Sequence, residues 1–327
     1  MRIIESISEL DQISRGCVLT IGNFDGVHVG HQEILTTAAR IAAERQTKLV
    51  AMTFHPHPLT IVNPQHPPGV LTAMPLKKYL LARLGVDCLF VLKSTPEFLS
   101  LSPQDFVEQF LVKHIQPGVV VEGESFNFGH DRAGSIHTLQ LLAAGKAFEV
   151  ILVDPREVKF LSGRIVRISS TMIRNMLEHG EAADAAVALG RPYRLIGRVI
   201  TGLGKGKQLG FPTANMQPSE QLIPADGVYA GFVEIADTRE RLLSANEKMP
   251  AAFSIGRART LPGTRPQLVE AHLLTENVGP LVDKWMAMDF VELIRSQIKF
   301  DSETQLSAQI AKDCQKAKEI LRNVQVL

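Results

Sequence analysis

Cysteine is scarce, charge is almost balanced and no long apolar run occurs, and each of these absences narrows what the chain can be. Cys17, Cys88 and Cys314 are the only cysteines in 327 residues and have no paired spacing, which excludes a disulfide framework and a cysteine-based zinc cluster. No apolar stretch approaches the roughly 18 residues that a membrane-crossing helix needs, and no charged-then-apolar leader opens the chain. A soluble protein of a reducing compartment, the cytoplasm, is expected. Lys and Arg total 35 against 34 Asp and Glu, so the net charge of +1 argues against nucleic acid or a membrane as partner. With 45% hydrophobic residues the chain can bury a large core, and its length suggests two domains.

Up to about residue 190, short β-rich apolar runs alternate with helical ones. Strands are expected at Cys17 to Ile21, Lys48 to Phe54, Cys88 to Leu92, Val119 to Val121 and Phe148 to Val153. Helices are expected at His31 to Arg45, Leu76 to Leu84 and Pro103 to Val112, where apolar residues recur at three- and four-residue intervals. This alternation predicts a Rossmann-like parallel sheet with right-handed crossovers, binding ligands beyond the carboxyl ends of its strands.

Directly after the first of these runs stands Gly22-Asn23-Phe24-Asp25-Gly26-Val27-His28-Val29-Gly30-His31. Glycines at 22, 26 and 30 allow positive φ and close approach to an anion, and the helix that follows offers unpaired N–H groups at a positive dipole end. Two histidines three positions apart can turn ring N–H groups toward one phosphate and stabilise charge as a phosphoryl or nucleotidyl group transfers. The plain alternatives are turn or capping residues, and a metal site, for which the chain offers no further ligands at the right spacing.

Two other segments fall at the same sheet edge. Thr53-Phe54-His55-Pro56-His57-Pro58 reads as a proline-stiffened extended loop that could wall a planar ligand, or simply as a rigid turn. Glu122-Gly123-Glu124-Ser125-Phe126-Asn127-Phe128-Gly129 sets polar side chains between two aromatics, suited to the edge and face of a planar ligand, or to two core phenylalanines in a loop. Further on, Ile168-Ser169-Ser170-Thr171-Met172-Ile173-Arg174 opens a helix with hydroxyls and adds a forked cation one turn later. Capping explains a serine there, while Arg174 suits a triphosphate.

Near Ala183 to Arg191 the texture changes, and a domain boundary is placed between 187 and 188. Beyond it Arg194 to Ile200, Gly227 to Ile235, Gln267 to Leu274 and Trp285 to Leu293 read as strands of an antiparallel β-barrel closed by a terminal helix. The stripe Leu306, Ile310, Cys314, Ala317 and Leu321 marks the packed face of that helix. The stretch Gly202-Leu203-Gly204-Lys205-Gly206-Lys207-Gln208-Leu209-Gly210-Phe211-Pro212-Thr213-Ala214-Asn215 lacks the spacing of a Walker A loop and no helix is expected after it. Its glycines and lysines can still fold over phosphates, with Thr213 and Asn215 as ligands of Mg²⁺ and a phosphate oxygen; a basic surface hairpin is the alternative.

The His28-x-Gly30-His31 element resembles the HxGH nucleotidyltransferases, and its longer form GNFDGVHxGH is similar to the prokaryotic bifunctional riboflavin kinase/FAD synthetase family. The ISSTxIR element ending at Arg174, the GxLGFPTAN element ending at Asn215, the ExHLL strand at Glu270 and the tail Asp289-Phe290-Val291, Arg295 and Lys299 to Ser302 extend that resemblance over nearly the whole chain. It implies an α/β architecture: an HxGH nucleotidyltransferase domain over 1–187 acting as FMN adenylyltransferase (FAD synthetase), and a riboflavin kinase barrel over 188–327. The implied cofactors are ATP and Mg²⁺, with riboflavin and FMN as substrates, FAD as product, and small-molecule flavins and ATP as the partners. His28 and His31 would be catalytic in the adenylyltransferase, with Gly22, Asn23, Phe24, Asp25, Gly30, Ser169, Thr171 and Arg174 on ATP and His57, Pro58, Ser125, Phe126, Asn127 and Phe128 on the flavin. In the kinase, Gly204, Gly206, Lys207, Gly210, Thr213 and Asn215 would hold ATP and the metal, and Glu270 would be the general base.

The chain departs from the family pattern where flavin should bind. Ser254-Ile255-Gly256-Arg257-Ala258-Arg259-Thr260 stands for the usual NIGxxPT, Val282-Asp283 for a Tyr-Gly pair, and Ser125 for Asp or Asn. Two other readings follow: an FMN adenylyltransferase with a degenerate, inactive kinase domain, and a flavin-binding regulator without turnover.

Overall fold

Segments of the first half become strands of a parallel sheet covered by helices. In the computed structural model, which describes all residues except 203, 246, 258–266, 276–277 and 325–327, they are β1 (Arg2–Ile4), β2 (Val18–Ile21), β3 (Leu49–His55), β4 (Cys88–Lys93) and β5 (Val119–Gly123). A short hairpin, β6 (Asn127–Phe128) with β7 (Gly134–Ser135), follows, and then β8 (Glu149–Val153). The four inner strands, β2 to β5, are apolar runs buried on both faces. The sheet order is β1-β4-β3-β2-β5-β8, and every neighbouring pair is parallel. From β2 the chain builds outward through β3 and β4, then returns to lay β5 on the other side of β2. The gap between β2 and β5 is thus the topological switch point, where ligands of such sheets bind.

Crossover helices run over Val29–Glu44 and Met74–Arg83, as expected, and over Ile136–Ala143, which the sequence reading did not anticipate. The helix expected from Pro103 to Val112 keeps α-geometry only over Pro103–Asp105 and widens to a π-helix over Phe106–Ile115. There Phe106 and Phe110 meet Phe98 at ring centroids of 6.0 and 5.0 Å, and Phe106 meets Phe128 at 5.4 Å.

A two-stranded ribbon, β9 (Glu157–Lys159) with β10 (Ile165–Arg167), precedes helices at Ser170–Glu178 and Ala182–Leu189. The barrel then closes from six strands: β11 (Tyr193–Ile200), β12 (Ala214–Pro218), β13 (Gly227–Ala236), β14 (Met249–Arg257), β15 (Gln267–Leu273) and β16 (Trp285–Ser296), in the order β11-β12-β15-β14-β13-β16. Tyr193, Tyr229, Phe253 and Phe290 fill its interior, with Phe290 ring-packed against the other three. Outside, the helix Glu303–Arg322 lays Cys314, Ala317 and Leu321 on Ala230, Phe232 and Ala252. That stripe is packing, as expected. Strands β1, β12 and β14, and the short strands β6, β7, β9 and β10, were not expected from the sequence.

The fold divides into two compact units, Met1–Pro68 with Leu76–Glu157, and Gly69–Pro75 with Val158–Leu327. Sequence positions Leu203, Ala258, Arg259 and Thr260, and the side chain of Lys205, lie outside the described residues.

Candidate active sites

In the first unit the site is built where β2 ends. His28 caps the helix Val29–Glu44: its Nδ1 accepts the N–H of His31 at 3.3 Å, which leaves the ring proton on Nε2. The two imidazoles stack at 3.6 Å with planes 16° apart, and Phe24 meets His31 edge-on at 5.4 Å. Capping and catalytic readings therefore coincide in His28. Burial first, then the neighbouring His28 and Lys77, hold the His31 imidazole well below its usual pKa, so it stays neutral. His31 Nδ1 is buried without a hydrogen-bond partner, as is Asn23 Oδ1. Buried polar atoms of this kind await a ligand or water.

The glycines act differently from expectation. Of Gly22, Gly26 and Gly30 only Gly26 has positive φ, at 85°; Phe24 and Val27 take the other left-handed positions at 45° and 43°. Gly22 and Gly30 serve by close approach instead, since a methyl group on either would lie 3.3 Å from the rings of Phe24 and His28. The turn is tied down by Lys77 Nζ and Thr53 Oγ1, which donate to Asn23 O at 2.7 and 3.2 Å, and by Gln32 Nε2, which donates to Val27 O at 2.9 Å. Lys77 lies in an ordinary-looking helix, and no sequence signal marked it.

The segments assigned to flavin need correction. Pro58 does not extend the loop but starts a short helix, Pro58–Val62, capped by His57 Nδ1, which accepts the Leu59 N–H at 3.1 Å. Phe128 is core: it is 7% exposed, and Phe126 stacks on it at 5.5 Å. Phe128 also packs against Phe106 at 5.4 Å, which matches the alternative of core phenylalanines in a loop. Ser125 and Asn127 are exposed, with Asn127 Nδ2 donating to Ser125 O at 2.8 Å.

In the second unit Ser169 caps the helix Ser170–Glu178, accepting the Met172 N–H at 3.2 Å while its own hydroxyl proton stays available to a ligand. Arg174 Nε donates to Gly69 O at 2.6 Å, which fixes the plane of its guanidinium.

The kinase-type residues converge on the barrel. Thr213 immediately precedes β12 and Asn215 is the second residue of that strand. Asn215 is the register partner of Glu270 on β15, and Glu270 in turn faces Ser254 on β14. A methyl group on Gly202 would collide with the Asn215 amide, and one on Gly206 would meet Phe211 O at 2.5 Å and Thr213 Oγ1 at 3.1 Å. The expected absence of a helix holds after the loop, yet a single helical turn, Lys205–Gln208, lies within it. Gly204 and Gly210 take positive φ, 72° and 84°, and Lys207 is exposed. Burial pushes the Glu270 carboxyl above its ordinary range.

Beside this row a cavity of about 640 Å³ is lined by Gly202, Thr213, His272 and Val282, within the size range of small-molecule sites. His272, to which the sequence reading gave no role, holds Pro212 O at 2.8 Å through Nδ1 and meets Phe211 edge-on at 5.5 Å. Thr213 and Asn215 offer hydroxyl and amide oxygens, a hard donor set that suits Mg²⁺ shared with phosphate oxygens. Among the described residues no cluster of three or more His, Cys, Asp or Glu could hold a metal by itself.

A family model described as FAD synthetase matches residues 10–172, and one described as riboflavin kinase matches residues 189–321. A bifunctional riboflavin kinase/FMN adenylyltransferase of Escherichia coli (strain K12) is 36% identical over 314 residues, 96% of each chain. That of Haemophilus influenzae is 35% identical over 97% of this chain and 98% of its own, and that of Bacillus subtilis (strain 168) 33% over 92% and 91%. A Streptococcus pneumoniae crystal structure described as a macrolide-efflux protein superposes with a TM-score of 0.83 at 29% identity, covering 99% of this chain and 100% of that one. Among the described residues no helix is long and apolar enough to cross a membrane.

Proposed function

The chain belongs to the family of bifunctional riboflavin kinase/FMN adenylyltransferases, and from that premise we propose how its residues divide the work. It carries an FAD synthetase half and a riboflavin kinase half, so it phosphorylates riboflavin to FMN and adenylylates FMN to FAD. The kinase half is not degenerate: the riboflavin kinase match runs through Thr213, Asn215 and Glu270. Neither the inactive-kinase reading nor the non-enzymatic one is retained. We keep the functional boundary proposed from the sequence, between 187 and 188, which is compatible with matches that end at 172 and begin at 189.

In the kinase half, the loop from Gly202 to Gly210 covers the phosphates of ATP, and Thr213 and Asn215 would hold Mg²⁺ against them. When bound, the ion neutralises charge on the transferring phosphoryl group. Glu270 accepts the proton of the ribityl 5′-hydroxyl, whose oxygen bonds to the γ-phosphorus as ADP leaves. The observation that carries this reading is the register pairing of Asn215 with Glu270, which sets the phosphate- and metal-directed amide beside the base.

In the adenylyltransferase half, an FMN phosphate oxygen attacks the α-phosphorus of a second ATP and pyrophosphate leaves. His28 and the neutral His31 donate ring N–H groups to the charge that develops there, and Gly22 to Asp25 and Gly30 shape the turn. Ser169, Thr171 and Arg174 take the β- and γ-phosphates. Ser125, Phe126, Asn127, His57 and Pro58 remain on the flavin side. No covalent intermediate is needed. A cytoplasmic location and free flavins and ATP as the ligands complete the reading.

The test is chromatographic. Purified protein with riboflavin, excess ATP and Mg²⁺ should give FMN that then yields to FAD. Unchanged riboflavin with FAD formed only from supplied FMN would remove the kinase assignment, and a chelator that left both steps running would remove the metal.

A further inference from the structure

Glu122 is a buried carboxyl that no step above uses. It ends the apolar run of β5, is 3% exposed, and reaches back to the last residues of β2. Its Oε1 accepts the backbone N–H of Ile21 and, at 3.4 Å, the hydroxyl of Thr20. Ile21 immediately precedes the turn from Gly22 to His28.

The ladder explains what this carboxyl replaces. Between β2 and β5 the pairing runs only through Val18↔Val119 and Leu19↔Val120. Each strand nevertheless continues beside its other neighbour, β2 to Ile21↔Met52 on β3 and β5 to Gly123↔Val153 on β8. Val18 and Gly22 donate their N–H groups toward β3, to Lys48 O and Met52 O, each at 3.0 Å. Alternation therefore points the Ile21 N–H at β5, where a backbone carbonyl would meet it in an unbroken sheet. The Glu122 side chain meets it instead, so the two strands separate before either one ends, and they do so at the switch point. Gly123 completes the opening, because a methyl group there would lie 3.1 Å from Ile34 of the helix that the two histidines begin.

We propose that Glu122 is a positioning residue for adenylyl transfer: a side-chain wedge that holds the carboxyl ends of β2 and β5 apart and thereby sets the path of the turn carrying His28 and His31. The inference rests on the reading of that turn as the adenylyltransferase site. Burial also pushes the Glu122 carboxyl well above its ordinary range, with the Ile21 and Thr20 bonds opposing, so the wedge is neutral and places no charge beneath the nucleotide phosphates. A neutral acceptor of the same shape should then serve equally well.

The experiment uses the full chain and measures both activities in the same sample, so that riboflavin phosphorylation reports folded enzyme. Glu122→Met keeps the volume but removes the acceptor; Glu122→Gln keeps both volume and acceptor. Glu122→Met should lower kcat for FAD formation from supplied FMN by about tenfold or more, the scale of a small misplacement of catalytic groups, while KM for ATP and FMN stays within about threefold. Riboflavin kinase turnover should be unchanged, and Glu122→Gln should restore FAD formation to within about threefold of wild type. Wild-type kcat in Glu122→Met, loss in Glu122→Gln as deep as in Glu122→Met, or a parallel loss of kinase turnover would each overturn the proposal. His28→Ala is run alongside: if it loses FAD formation while Glu122→Met does not, the wedge alone fails, and if His28→Ala keeps it, the reading of the turn fails.

Discussion

Asn215 and Glu270 stand directly opposite each other as register partners of β12 and β15, although they lie 55 positions apart in sequence. Opposed residues on neighbouring antiparallel strands hold their Cβ atoms about 5 Å apart, so the amide and carboxyl converge without any loop having to bring them together. Replacing Glu270 by Ala should lower riboflavin phosphorylation by about 100- to 10,000-fold, the usual scale of a lost general base, and leave FAD formation from supplied FMN intact. Because burial raises the carboxyl pKa, the acid limb of the kinase rate should fall at a pH above the ordinary carboxylate value. A limb at that ordinary value would argue that Glu270 is not the base.

His28→Ala tests the other half. The substitution removes the Nδ1 cap of the helix Val29–Glu44 together with one ring donor, and loss of a single preorganised donor costs about 100- to 1,000-fold in kcat. FAD formation should fall by that much while FMN formation continues. Loss of both activities would mean that the two sites do not act separately.

The way the two sites were legible, and the way they were not, follows from how far each feature depends on local sequence. Strands β2 to β5 read correctly because strands buried on both faces are continuous apolar runs. The helix starts at His28 and Ser169 were legible because cap chemistry is local. Strand β12 was missed because it begins within the Pro212-Thr213-Ala214-Asn215 motif, which looks like a loop, and β14 because Ala251, Ala252, Ser254 and Gly256 give it little β-character. Three-residue β1 is too short to show a period. Lys77 and Glu122 were given no role because only the tertiary fold carries them to Asn23 and Ile21.

His31 makes stability depend on pH. Its folded pKa lies below the ordinary imidazole value of 6.5, so below that pH the unfolded chain takes up a proton that the folded chain refuses. The folded state is therefore favoured above 6.5 and loses that advantage as pH falls toward the folded value. Thermal midpoints of the wild type should drop between about pH 6.5 and 5, and those of His31→Gln should drop less. Equal slopes would show that another group sets the acid limit.

Gln221 ties a distant segment to the barrel. Its Nε2 donates to Leu71 O at 3.1 Å and Arg194 O at 2.8 Å, its Oε1 accepts the Ile196 N–H at 3.1 Å, and Leu222 N–H adds a bond of 2.8 Å to Val70 O. Gly69, beside Val70, receives Arg174. Gln221→Ala would strand buried backbone groups, at about 1–3 kcal/mol for each one left unsatisfied. A fall in thermal midpoint should accompany faster hydrogen exchange at residues 69–72 and weaker FAD formation. Exchange confined to β11 would show that Gln221 braces the barrel alone.

Gly202 and Gly204 separate two uses of glycine within one loop. At Gly202 the backbone conformation is open to any residue, but a methyl group would drive into the Asn215 amide. At Gly204 φ is 72° with nothing within 4 Å of a methyl group, so alanine there meets only the left-handed backbone penalty of about 1 kcal/mol. Gly202→Ala should therefore displace Asn215 and remove most riboflavin kinase turnover with little change in thermal midpoint. Gly204→Ala should show the reverse, a small loss of stability with kinase turnover largely kept. FAD formation from supplied FMN should be unaffected in both. Equal kinase losses in the two variants would mean that the loop acts through its flexibility and not through the contact between Gly202 and Asn215.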